Sequence, residues 1–279
     1  AVDGVNGVTA GGSEGVTGQT AKSQGGKGSV EKSGAPMRME SRDKGPPAAE
    51  GKQQIDSAPS TPVNVLFQGF DDATLKRYSG LVTSLHGEAT LGDKAAHIDI
   101  AKVTHFVVNT KVAGGKRTVK RSMKLCLAIS VVQNIVTEDW MGACEMAKQF
   151  VAVQPYLLSG SFSSDAKAAA SWSFDATEAR VRRLAGSVLA GRSFYLALDK
   201  DSKDKGLELE YNAVIRAAGG VIQGKPNASS GQVIVVSSDA ARRTWAPWLS
   251  WHHVTLLRQD HLLTCILRQQ LDLSTGLLS

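Results

Sequence analysis

The sequence predicts an α/β protein: two similar repeats, each a small four-stranded parallel sheet flanked by about three helices, packed through a linker helix. Three observations lead there. Short apolar runs such as Phe106-Val107-Val108 and Val233–Val236 alternate with stretches of helical spacing, the pattern of buried parallel strands between helices. An order of strand, helix, strand, strand, helix, strand, helix begins at Val63 and starts again near Ser193, a period of about 130 residues. Between the copies, Trp172-Ser173-Phe174 leads into a helix signal at Ala176, Ala179, Val181 and Leu184. The boundaries follow as a linker at 1–62, a first repeat at 63–155, an inter-repeat linker with a helix at 156–190, and a second repeat at 191–275.

Residues 1–62 carry no aromatic side chain and are rich in Gly, Ser, Thr, Gln and Lys. Such a segment cannot bury enough apolar area to offset an ordering cost of roughly 1–2 kcal/mol per residue, so a disordered spacer is expected. Ser57, Ser60 and Thr61, beside Pro59 and Pro62, are its candidate phosphorylation sites. The chain opens on Ala1 and is expected to be a piece of a longer protein.

Order is expected from Val63, where Val63, Val65 and Phe67 alternate with Asn64, Leu66 and Gln68 up to Gly69. Asp71 and Asp72 open a helix carrying Leu75, Tyr78, Leu81, Val82 and Leu85, and His86-Gly87 closes it with a glycine able to take positive φ. Ala95–Ile100 is read as the second strand and Phe106–Val108 as the third. After a break at Gly114-Gly115, Val119, Met123, Cys126 and Leu127 form an apolar helix face. Arg117, Lys120, Arg121 and Lys124 recur at i, i+3, i+4 and i+7 on the other face, which predicts a basic helix. A strand at Asn134–Val136, a Thr137 opening and a helix with Trp140 in its first turn complete the unit.

Residues 148–190 are expected to connect rather than form a second sheet. The second copy runs through a strand at Phe194, Leu196 and Leu198, a helix over 207–218 stopped by Gly219-Gly220, and strands at Val221-Ile222 and Val233–Val236. A helix over 239–249, a strand around Val254–Leu256 and a last helix over 259–270 follow.

The formal charge is +6, and residues 1–62 hold equal numbers of acidic and basic residues, so the rest of the chain owns the excess. No run approaches the 18 apolar residues of a membrane span, and neither a membrane contact nor a secretory leader is expected. Cys126, Cys144 and Cys265 lie far apart in apolar helical patterns, which points to reduced core thiols, with no metal and no cofactor. No nucleophile elbow, P-loop, HExxH or GxGxxG is present, and adjacent His252 and His253 would point to opposite sides of a strand. A binding module is expected, not an enzyme.

Strand, basic helix, strand and a helix bearing Trp140 resemble the C-terminal half of a BRCT domain. Arg121-Ser122-Met123-Lys124 stands where that family usually has Arg-Thr-x-Lys. The stretch from Trp172 to Asp199 resembles the junction of tandem BRCT repeats, while His261 replaces the tryptophan expected in the last helix; Trp245, Trp248 and Trp251 are candidates to fill that gap. In phosphopeptide-binding pairs the first repeat grips phosphate through a Ser/Thr hydroxyl ending its first strand, the N–H of the next Gly, and a Lys on its second helix. The resemblance carries these onto Gln68, Gly69 and Lys124, with an amide in place of the hydroxyl at Gln68. Arg121 matches the arginine that reads main-chain or carboxylate groups of the peptide, and Ser122 takes the usual Thr place.

The expected partner is therefore a phosphoserine- or phosphothreonine-bearing protein, and the expected place the nucleus. Two alternatives remain open: DNA binding through the basic helix, and a docking or dimerisation role like that of the C-terminal BRCT region in some kinetoplastid kinetochore proteins, whose layout is similar.

Overall fold

The computed structural model describes residues 62–92, 94–113, 115–164, 171–199 and 206–279. Apart from Pro62, the expected spacer and its phosphorylation candidates lie outside the described residues. The first repeat contains β1 (Asn64–Gln68), α1 (Asp72–Ser84), β2 (Glu88–Thr90), β3 (His105–Val108), β4 (Lys111–Ala113), β5 (Lys116–Thr118), α2 (Met123–Val131), β6 (Asn134–Thr137) and α3 (Asp139–Ala147). Its sheet is parallel throughout, in the order β2-β1-β3-β6.

Local chemistry sets these bounds. Asp71 Oδ1 accepts the Thr74 N–H at 2.8 Å and starts α1. At its end the positive φ falls on His86 (+63°), not on Gly87 as expected. Gly87 serves close approach instead: a Cβ there would lie 2.8 Å from Phe150 Cζ and 3.0 Å from the Val63 carbonyl oxygen. The second strand is Glu88–Thr90, a short edge strand, whereas Ala95–His97 and Ile100–Lys102 are single 3₁₀ turns.

The basic helix does not exist. A hairpin of β4 and β5, with Ala113 opposite Lys116, takes up the residues after β3, and Gly115 at its tip has φ +74°. Ser122 caps α2 by accepting the Leu125 N–H at 3.1 Å, so Arg117 lies on a strand, Lys120 and Arg121 precede the helix, and Lys124 alone of the four is helical. The four-residue spacing arose across three different elements, and DNA binding through one cationic helix face loses its basis.

The linker is also more than a connector. Within it, β7 (Ser161–Ser163) and β8 (Ser173–Asp175) pair, and with the hairpin they make a further sheet, β4-β5-β7-β8. Helix α4 (Ala176–Ala185) follows, capped by Asp175, with Ala176 and Ala179 buried and Val181 and Leu184 exposed. The second repeat consists of β9 (Ser193–Leu196), α5 (Leu207–Ala217), β10 (Val221–Ile222), β11 (Val233–Ser237), α6 (Arg242–Trp245), β12 (Val254–Arg258) and α7 (Gln259–Arg268), with the parallel order β10-β9-β11-β12. The helix expected over 239–249 is broken into a 3₁₀ turn, α6 and another 3₁₀ turn holding Pro247, which cannot continue an α-helix.

Three apolar layers result. Val65, Phe67, Val107, Val136, Trp140 and Cys144 pack outward against α1 and α3. The opposite face of the same sheet contributes Leu66, Phe106 and Val108 to a core shared with α2, Trp172, Phe174, α5 and α7, so the repeats meet through one continuous interior. Val233, Val235, Trp245 and Trp248 form the outer layer of the second sheet. The tryptophans therefore do not fill the gap at His261. The C-terminal turn does, because a Cβ on Gly276 would lie 2.1 Å from His261 Cγ. All three cysteines are unpaired and buried, and desolvation pushes the Cys126 thiol up to about 12.

His105 stacks on Trp140, ring centroids 4.7 Å apart, and burial lowers its pKa to about 4. Thr104 Oγ1 already donates to the Asn64 carbonyl (3.0 Å) and accepts from the Asn64 N–H (2.8 Å), so His105 Nδ1 must be the donor across its 2.8 Å contact to that hydroxyl. Asn134 Nδ2 faces Nε2 at 3.3 Å, which suits the neutral ring and opposes the charged one. Between about pH 6.5 and pH 4 the unfolded chain binds a proton here that the fold refuses. Stability is therefore expected to fall as pH drops through that window and to level off below it. Thermal melts of wild type and His105→Phe should diverge less at acid than at neutral pH; an unchanged gap would count against this.

Candidate functional site

Gln68 ends β1 and is buried, its side chain turned inward onto the segment that starts α2. Gln68 Nε2 donates to the Lys120 carbonyl at 2.7 Å, and its Oε1 accepts a short hydrogen bond from Ser122 Oγ. Ser122 thus donates to the first strand while accepting the Leu125 N–H, which welds the start of α2 to the end of β1. Gln68 and Ser122 position this corner.

Gly69 follows at the surface with φ +87°, a conformation costly for any other residue. Among the described residues no acceptor takes its N–H. Its carbonyl accepts from Asn109 Nδ2 at 2.9 Å, and a Cβ here would stand 3.3 Å from that of Asn109. Asn109 was not singled out in the sequence; the only signal was an Asn directly after a buried strand, where turns start.

Lys124 sits in the first turn of α2, half-buried, and its Nζ donates to the Gly92 carbonyl at 2.9 Å. Leu66 pairs with Thr90 across β1 and β2, so two residues further along lie Gln68 and Gly92. Adjacent strands are about 4.8 Å apart, which brings the Lys124 ammonium to the same sheet end as Gly69. Gly69 thus follows the strand end tied to the N-terminal cap of α2, and Lys124 lies in the first turn of that helix, where an anion is electrostatically favoured.

Arg121 reaches the other way. Its Nη2 lies 2.7 Å from Asp260 Oδ1, and its Nη1 donates to the Asp260 carbonyl at 3.1 Å and to Thr264 Oγ1 at 3.3 Å. The guanidinium also lies 5.8 Å from the Trp172 ring centre. With its side chain 17% exposed, Arg121 clasps the two repeats at the mouth of a groove of about 380 Å³ that Arg258, Asp260, His261, Thr264 and Arg268 also line. Asp260 could not be found from sequence, since it lies 139 residues away.

The second repeat lacks this corner. Gln68 pairs with Val108 as Leu196 pairs with Val236, so Ala197 occupies the place of Gly69. Ala197 is buried, and its carbonyl accepts from Ser237 Oγ and, at 3.0 Å, from Thr244 Oγ1.

Two parallel four-stranded sheets, joined through a helix and sharing a core between α2, α5 and α7, define a tandem BRCT architecture. Residues 187–275 match the BRCT domain family. The solved BRCT5-BRCT6 pair of Brc1 from S. pombe superposes with a TM-score of 0.56 at 19% identity, covering 78% of this chain and 98% of that one. In sequence the chain is similar to PAX-interacting protein 1, 27% identical over 224 residues in Bos taurus and 26% in Mus musculus, covering 75% of this chain. It spans 20% and 18% of the length of those two relatives.

Proposed function

We propose that this tandem pair is a non-enzymatic module that reads a phosphoserine- or phosphothreonine-bearing segment of a partner protein. Gly69 and Lys124 hold the phosphate, and Arg121, which lines the groove, exchanges its bonds to Asp260 and Thr264 for main-chain or carboxylate groups further along the same segment. The observation that carries this is Gly69: an exposed N–H at positive φ, on the strand end to which Gln68 and Ser122 fasten the lysine-bearing helix. Gln68, expected as a ligand, becomes a positioning residue in this reading, because its amide is taken up within the fold. Charge-assisted hydrogen bonds contribute about 1.5–3 kcal/mol each, enough to separate a phosphorylated from an unmodified segment by orders of magnitude.

Such a module belongs to a scaffold of chromatin, DNA-damage or cell-division proteins in the nucleus, a placement supported by the BRCT architecture. Paired peptide libraries differing only in the phosphate, titrated against the chain, test the proposal. Phosphorylated members should bind more tightly, and equal binding of both sets would overturn it.

A further inference from the structure

We propose that Glu210, on the first helix of the second repeat, is a positioning residue for Lys124 in the first; this rests on the reading of Lys124 given above. Lys124 Nζ donates to the Gly92 carbonyl at 2.9 Å. Three residues on, the Ala95 N–H donates to Glu210 Oε1 at 3.2 Å. Ala95 is 1% exposed and opens the Ala95–His97 3₁₀ turn, whose first N–H groups have no partner within the turn. A carboxylate at that point satisfies an orphan donor and does so with its charge. Gly92 is thus bonded by a lysine of its own repeat, and Ala95, three residues on, by a glutamate of the neighbour.

The Gly92 carbonyl helps direct the ammonium, and Glu210 anchors Ala95, three residues further along the chain. Arg121 on Asp260 ties the same corner from the opposite direction, a cation of the first repeat on an anion of the second. Phosphate affinity at Lys124 therefore depends on a residue that never meets the ligand. Glu210 adds no attraction for the phosphate, since its own charge is of the wrong sign. Its effect runs through where the lysine is held.

The experiment uses the full chain with Glu210→Ala, Glu210→Gln and Lys124→Met, a phosphoserine peptide that wild type binds, and its unmodified twin. Glu210→Ala should weaken phosphopeptide binding on the order of tenfold, leave the unmodified peptide unchanged, and broaden the Lys124 ammonium signal in heteronuclear NMR. Glu210→Gln keeps an acceptor for the Ala95 N–H and should restore most of both. If Lys124→Met abolishes the phosphate preference while Glu210→Ala leaves it intact, the positioning role is overturned and phosphopeptide reading survives. If wild type itself ignores phosphate, that reading fails. An ammonium signal unaffected by Glu210→Ala overturns the Glu210 proposal in either case.

Discussion

Lys124→Glu is expected to erase the distinction between phosphorylated and unmodified peptide. The substitution removes the cation that the Gly92 carbonyl holds at the sheet end and puts an anion on the first turn of α2, beside the exposed Gly69 N–H. A like charge there repels phosphate as strongly as the lysine attracts it, so the loss exceeds that of a neutral residue. One charge-assisted bond of about 1.5–3 kcal/mol corresponds to roughly 10- to 100-fold in affinity, and the reversal of sign should carry the effect to the upper end. Fluorescence anisotropy with the paired peptides measures it. The fold should tolerate the change, because Lys124 is only half-buried and a glutamate is favourable in the first turn of a helix. Retained preference for the phosphopeptide, with normal melting, would remove Lys124 from the site.

The second large effect is expected at the linker helix. Arg183 Nη1 donates to the Ile129 carbonyl at 3.2 Å and, by a short hydrogen bond, to that of Val132, at the C-terminal end of α2. Arg182, its neighbour, donates to the Arg268 carbonyl at 3.0 Å at the end of α7. Helix α4 therefore caps one helix of each repeat with adjacent arginines, where orphan carbonyls and the negative end of the dipole concentrate. Arg182→Met combined with Arg183→Met keeps the aliphatic stems and deletes the donors. A loss of about 3–6 kcal/mol is expected, since each arginine contributes a hydrogen bond from a charged group. Urea unfolding should show a lower midpoint and, where the repeats uncouple, two transitions in place of one. A single transition at the wild-type midpoint would show that the shared core alone holds the pair together.

Much of this was legible before the coordinates. Short apolar runs exposed β1, β3 and β11, which are buried on both faces, and a 3.6-residue period exposed α1 and α5, which bury one, because burial is written into residue type. The repeat of element order exposed the second copy even though His261 breaks the tryptophan pattern. Three places misled for physical reasons. The basic residues from Arg117 to Lys124 matched a helical spacing by coincidence, and the break expected there is a hairpin turned at Gly115. Glu88–Thr90 is an edge strand of three residues, too short to carry a period. Strands β7 and β8 each span three residues and pair across nine others, beyond any local pattern.

By itself the sequence determined the class, the number of repeats and the candidates proposed to meet an anion, since these depend on side-chain chemistry and on neighbours within a few positions. Tertiary structure alone decided their roles. Gln68 turned inward because Lys120 and Ser122 offer both halves of its amide a partner, and Gly69 stayed exposed because its loop is held from Asn109. Arg121 met Asp260, and Glu210 met Ala95, across separations of 139 and 115 residues. Hydrogen bonds of that kind form only when two folded surfaces are brought within about 3 Å, and no local spacing encodes which surfaces those are.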